Sequence, residues 1–113
     1  MAKKEKFLPR EGEQIFADGI KVDCWNQPDQ LFNHQVPGKL YLTDQRVFFE
    51  ASVLVARDTF WEVELGEIAK VKKCLVPPCF PYGVRIVLKN GKKYLLGMYG
   101  RGKYVAWLRE RLG

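Results

Sequence analysis

Residues 38–51 read GKLYLTDQRVFFEA, and the fold turns on how they are paired. Leu40 and Leu42 alternate with Lys39, Tyr41 and Thr43; past Asp44-Gln45, Val47 and Phe49 alternate with Arg46, Phe48 and Glu50. Successive side chains on a strand point to opposite faces, so each half carries one apolar face. A two-residue loop at Asp44-Gln45 sets Leu42 opposite Val47 and Leu40 opposite Phe49, with all four on one side. The halves agree on register, which is what an antiparallel hairpin over a core requires.

The same alternation extends outward in both directions. Gln14 to Val22 reads as a first strand, followed by a long Asn/Gln/Pro-rich loop from Asp23 to Pro37. FWEVEL (60–65) is a fourth strand with Trp61, Val63 and Leu65 on one face, and IAKVKKCL (68–75) is a fifth. GVRIVLKNGKKYLLGM (83–98) supplies strands six and seven. A two-residue Asn90-Gly91 loop would put Val84, Ile86 and Leu88 on the face opposite Tyr94, Leu96 and Met98. A three-residue loop, Lys89-Asn90-Gly91, with Gly91 left-handed as a bulge, pairs Ile86 with Tyr94 and unites the two sets. The period then changes: Tyr104, Val105, Trp107, Leu108 and Leu112 form the stripe of an amphipathic helix. The expected fold is mainly β with one C-terminal α-helix, a seven-stranded antiparallel barrel or sandwich capped by that helix.

A chain of 113 residues suffices for one core, with residues 1–12 as a charged tail and 13–113 as the domain. No apolar run approaches the ~18–20 residues that span a bilayer, and no apolar h-region follows the basic N-terminus. The expected location is the cytoplasm, with peripheral attachment to the inner membrane face. The net charge of +6 is unevenly spread. Residues 1–65 hold eight basic and eleven acidic side chains, whereas residues 66–113 hold eleven basic ones and two acids, Glu67 and Glu110. Such a split suits an anionic partner.

GKLYLTDQRVFFEAS resembles the signature hairpin of GRAM domains, a branch of the PH-like superfold. ELGEIAKVKK and VRIVLKNGKKYLLGMY resemble that family's following elements, and the closing helix is similar to the PH-like end cap. The resemblance covers roughly residues 12–112 and implies a module that binds membrane lipids or proteins. PH domains that hold phosphoinositides carry basic residues through the first loop. Here Asp23 to Pro37 contains two aspartates, one histidine and no Lys or Arg, so a dense phosphate cradle is missing.

Catalytic chemistry finds little support. His34 is the one histidine, and no positioned third group accompanies Cys24 and His34. Cys74 and Cys79 lack the second pair that a zinc knuckle needs, so neither a metal nor a cofactor is expected, and an odd cysteine count disfavours a structural disulfide. The basic half offers more. With Val71 facing inward, Lys70 and Lys72 face outward, as do Arg85 and, through the bulged register, Lys93. These residues with Lys73 are the candidate lipid- or anion-binding set. Phe80 and Tyr82, in the proline-stiffened CLVPPCFPYG connection (74–83), would enter a membrane or meet a partner. A second surface, Tyr41 and Phe48 with Phe60, would suit a protein interface or a homodimer seam, unless the tail residues Phe7 and Leu8 or the Trp25-containing loop cover it. Nucleic acid is the weakest of the three partners, because no aromatic pair lies on the basic face.

Overall fold

The computed structural model describes residues 7–26, 36–51, 60–76 and 80–112, without the side chains of Asn26 and Phe60. Seven strands run in chain order: β1 (Ile15–Asn26), β2 (Val36–Thr43), β3 (Arg46–Ala51), β4 (Phe60–Glu64), β5 (Ile68–Val76), β6 (Phe80–Leu88) and β7 (Lys93–Gly97). Among the described residues one α-helix, α1 (Arg101–Leu112), follows. All pairings are antiparallel, in the spatial order β4-β3-β2-β1-β7-β6-β5.

The opening hairpin has the register read from its alternation: Leu42 faces Val47 and Leu40 faces Phe49. Thr43 locks the turn, its hydroxyl accepting the Gln45 and Arg46 amides at 3.0 Å. The second hairpin also follows its sequence. Ile86 pairs with Tyr94, and Gly91 sits at φ +93°, closing a three-residue loop in which its amide donates to the Leu88 carbonyl.

β1 differs from expectation. It runs four residues past Val22, and β2 begins at Val36, so Cys24 pairs with Val36 and Asp23 with Pro37 in what read as loop. Cys24 and Val36 are both buried, and that apolar pair holds the extension together. Pro37 costs no ladder bond to β3, whose pairing begins one residue later, at Gly38 opposite Ala51. The His34 and Cys79 readings lie outside the described residues.

The core shows how the sheet closes. Trp61 of β4 stacks on Tyr94 of β7 at 3.9 Å and on Phe49 of β3 at 5.7 Å. β4 and β7 are separated by three strands in the sheet order, so this contact exists only because the sheet curls over itself. Val105 and Leu108 of α1 are buried against the same core, with Tyr104, Trp107 and Leu112 packed at its edge. Arg109 Nε donates to the Val71 carbonyl at 3.1 Å, which gives the outer edge of β5 one of its missing partners. No helix among the described residues is long and apolar enough to cross a membrane.

Candidate functional site

Strand pairing organises the basic residues into rows. Lys70 of β5 faces Val87 of β6, which faces Lys93 of β7. One step along, Lys72 faces Arg85, which faces Leu95. Val71, Val84 and Ile86 are buried between them, so the two rows share the outer face. Lys70, Lys72 and Lys93 are exposed, and Arg85 is half-buried among them. A third row, Cys74, Gly83, Gly97 and Asp23, borders the face and contributes an acid.

Lys73 is separate from these four. It pairs with Val84 and so has inward parity, yet it is exposed, because β5 here leaves the core for the start of α1. Its ammonium lies 3.9 Å from where a Cβ on Gly102 would stand. Ala69, of the same expected parity as Val71, is also exposed, because a bulge between Ile68 and Lys70 shifts the register.

Phe80 and Tyr82 occupy the far end of β6 and are exposed. Tyr99, in the turn before α1, joins them through an edge contact with Tyr82 at 5.0 Å. Sequence reading missed Tyr99: one aromatic between Met98 and Gly100 has no periodic signal. At this end Arg101 Nη1 donates to the carbonyls of Cys74, at 2.7 Å, and Gly83, at 3.1 Å, tying the helix to the strand ends. Burial pushes the Cys74 thiol up from its ordinary value, against the pull of Arg85, Arg101 and Lys72, so it stays protonated at neutral pH. Cys24 is buried in the core, on the other side of the sheet, so the two thiols do not converge on one site.

The aromatic surface is covered. Tyr41 and Phe48 are the cross-strand pair expected, but Phe48 is only 4% exposed. Phe7 stacks on Tyr41 at 4.3 Å and 6°, and meets Phe48 edge-on at 5.6 Å. Arg46 lies over the Phe7 ring at 4.6 Å. The seam expected from Tyr41 and Phe48 is thus occupied by the chain's own N-terminal segment, while the side chain of Phe60 is outside the described residues.

No protein-family model matches the sequence, and no curated protein matches it significantly. Solved structures do resemble the fold. The Vps36 N-terminal PH domain aligns with a TM-score of 0.67 at 18% identity, covering 93% of this chain and 83% of that one. The C-terminal domain of an unknown protein from Leishmania infantum aligns with a TM-score of 0.65 at 16% identity, over 91% and 88% of the two chains. The linker-DH/PH segment of p115-RhoGEF aligns with a TM-score of 0.64 at 11% identity, over 94% of this chain and 31% of that one. At these identities the likeness concerns architecture, and it agrees with the strand order and capping helix: the chain has a PH-like fold.

Proposed function

We propose that the chain is a non-enzymatic binding module of GRAM type that attaches peripherally to an anionic membrane surface. The carrying observation is the pair of rows Lys70·Val87·Lys93 and Lys72·Arg85·Leu95, which bring four cations from three strands onto one face. A lysine or arginine beside an anionic leaflet contributes on the order of 1 kcal/mol, so four give a reversible association that salt weakens. The cytoplasmic leaflet has the charge this face needs. The PH-like fold supports the reading, since PH domains commonly bind lipids or proteins. The first loop, without Lys or Arg between Asp23 and Pro37, points away from specific headgroup recognition and toward general charge.

The test is co-sedimentation with phosphatidylcholine vesicles, with and without phosphatidylserine, at low and moderate salt. The expected result is binding that needs phosphatidylserine, fades with salt and is lost in the double substitution Lys70→Glu, Lys72→Glu. Binding indifferent to phosphatidylserine, or unchanged in the double variant, overturns the assignment.

A further inference from the structure

Leu75, Phe80, Tyr82 and Tyr99 are 57%, 51%, 39% and 80% exposed, an unusual concentration of large apolar side chains in solvent. Phe80, Tyr82 and Tyr99 form a series, with ring centroids 6.2 and 5.0 Å apart. The Met98 amide donates to the Tyr82 carbonyl at 2.9 Å and fixes Tyr99 beside its neighbour. Tyr82 keeps the parity of buried Val84 but lies past the end of the core. A register shift between Cys74 and Val76 sets Phe80 opposite Val76, which has the outward parity of Lys70, Lys72 and Cys74, so the series stands at the end of the barrel where its basic face stops. Lys73, Arg101 and Lys103 stand at this end, with Asp23, opposite Gly97, on the neighbouring strand.

We propose that this end of the barrel, with Tyr99 at its tip, enters the interface of an anionic bilayer, so that the domain is tilted onto this end, with Lys72 and Arg85 of its basic face nearer the headgroups than Lys70 and Lys93. The proposal rests on the membrane reading above and decides its geometry. A strand advances about 3.3 Å per residue, so Arg85 stands roughly 16 Å back from Phe80. Val87, the neighbour of Lys70 and Lys93, stands roughly 23 Å back. The screening length at physiological salt is about 8 Å. Fully upright, Lys70 and Lys93 would act across nearly three screening lengths, so the tilt keeps Lys72 and Arg85 in play while Arg101 and Lys103, at the start of α1 beside Tyr99, act close to the headgroups. Tyrosine rings, apolar in body and polar at the tip, suit the headgroup level. The cations beside them make the complementary surface anionic.

Two single substitutions, Y99W and K93W, test the orientation on phosphatidylcholine/phosphatidylserine vesicles with bromine-labelled acyl chains. The expected result is at least twofold quenching of the new indole in Y99W, with K93W no more quenched than the wild-type protein. F80S combined with Y99S should also weaken vesicle partitioning at least tenfold without shifting the melting temperature, since both residues are largely exposed. Sedimentation with the vesicles but no quenching in Y99W, or equal quenching in K93W, overturns the tilted pose and leaves the membrane reading standing with the basic face lying flat on the bilayer. Failure of the wild-type protein to sediment with phosphatidylserine vesicles overturns both, and directs attention to an acidic protein partner for the same end.

Discussion

The Glu13 carboxylate is gripped from both sides by the Arg46 guanidinium, with Nε 2.9 Å from one oxygen and Nη2 3.0 Å from the other. The Thr43 hydroxyl donates to the same carboxylate at 2.5 Å, and Arg46 Nη2 also donates to the Leu8 carbonyl at 2.6 Å. The Arg46 side chain is 6% exposed and that of Glu13 fully buried, so this is a desolvated, bidentate pair and not a surface bridge. Removing one member leaves the other charged and unpaired. Arg46→Ala is expected to cost about 3–5 kcal/mol, read as a lower urea midpoint. A loss below about 1 kcal/mol would mean that the pair is solvated and does not anchor the N-terminal segment.

The same pair sets an acid limit. The bonds from Arg46 hold the Glu13 carboxyl down at about 2, against an ordinary value of 4.5. Because the folded-state value is the lower one, its stabilisation is complete above about pH 4.5 and is lost as pH falls toward about 2. Its upper bound is roughly 3 kcal/mol. Glu64, lowered by Arg10, acts in the same direction, but both side chains are more than a third exposed and add little. Urea unfolding near neutral pH and near pH 3 should show wild-type stability falling, with a clearly shallower fall in Glu13→Gln. Equal slopes in the two proteins would remove Glu13 from the account.

Where pattern was local, sequence reading placed residues correctly. The pairings of Leu42 with Val47 and of Ile86 with Tyr94, the left-handed Gly91 and the outward Lys70 and Lys72 all follow from period-two alternation and loop length. What it missed was long-range or aperiodic. Glu13 and Arg46 are 33 residues apart and no spacing rule joins them. Cys24 and Val36 hold strand pairing inside a stretch whose Asn, Gln and Pro content reads as loop. Lys73 carries the right charge, but its parity and the departure of β5 from the core take it off the outer face. Tyr99 depends on where a turn leaves its side chain, which composition does not reveal.

Two glycines carry backbone demands that can be measured. A side chain at Gly91 would have to hold φ +93°, so Gly91→Ala is expected to cost about 1–2 kcal/mol. At Gly38 the obstacle is space, not dihedral angle. A Cβ there would run into the Glu50 carbonyl oxygen and stand 2.8 Å from the Phe49 ring, so Gly38→Ala should cost about 1–3 kcal/mol. Urea denaturation of both variants checks the two mechanisms. A neutral Gly38→Ala would show that β2 and β3 separate more easily than their packing implies.

Phe7 ties the N-terminal segment to the sheet. Its ring is stacked on Tyr41, meets Phe48 edge-on and lies under Arg46, whose guanidinium also binds the Leu8 carbonyl and Glu13. The segment from Phe7 to Glu13 thus covers an aromatic pair that would otherwise face water. Phe7→Ser should lose about 1–3 kcal/mol of stability, from the lost ring contacts and exposed area. It should also raise self-association, because an uncovered Tyr41–Phe48 surface is apolar and flat. Light scattering against protein concentration separates two accounts of that surface. A wild-type mass that stays constant, with a rising mass only in Phe7→Ser, means that the N-terminal segment is the normal occupant and the seam is internal. A wild-type mass that already rises with concentration, unchanged by salt, means that Phe7 yields to a second copy, and the homodimer reading of Tyr41 and Phe48 stands.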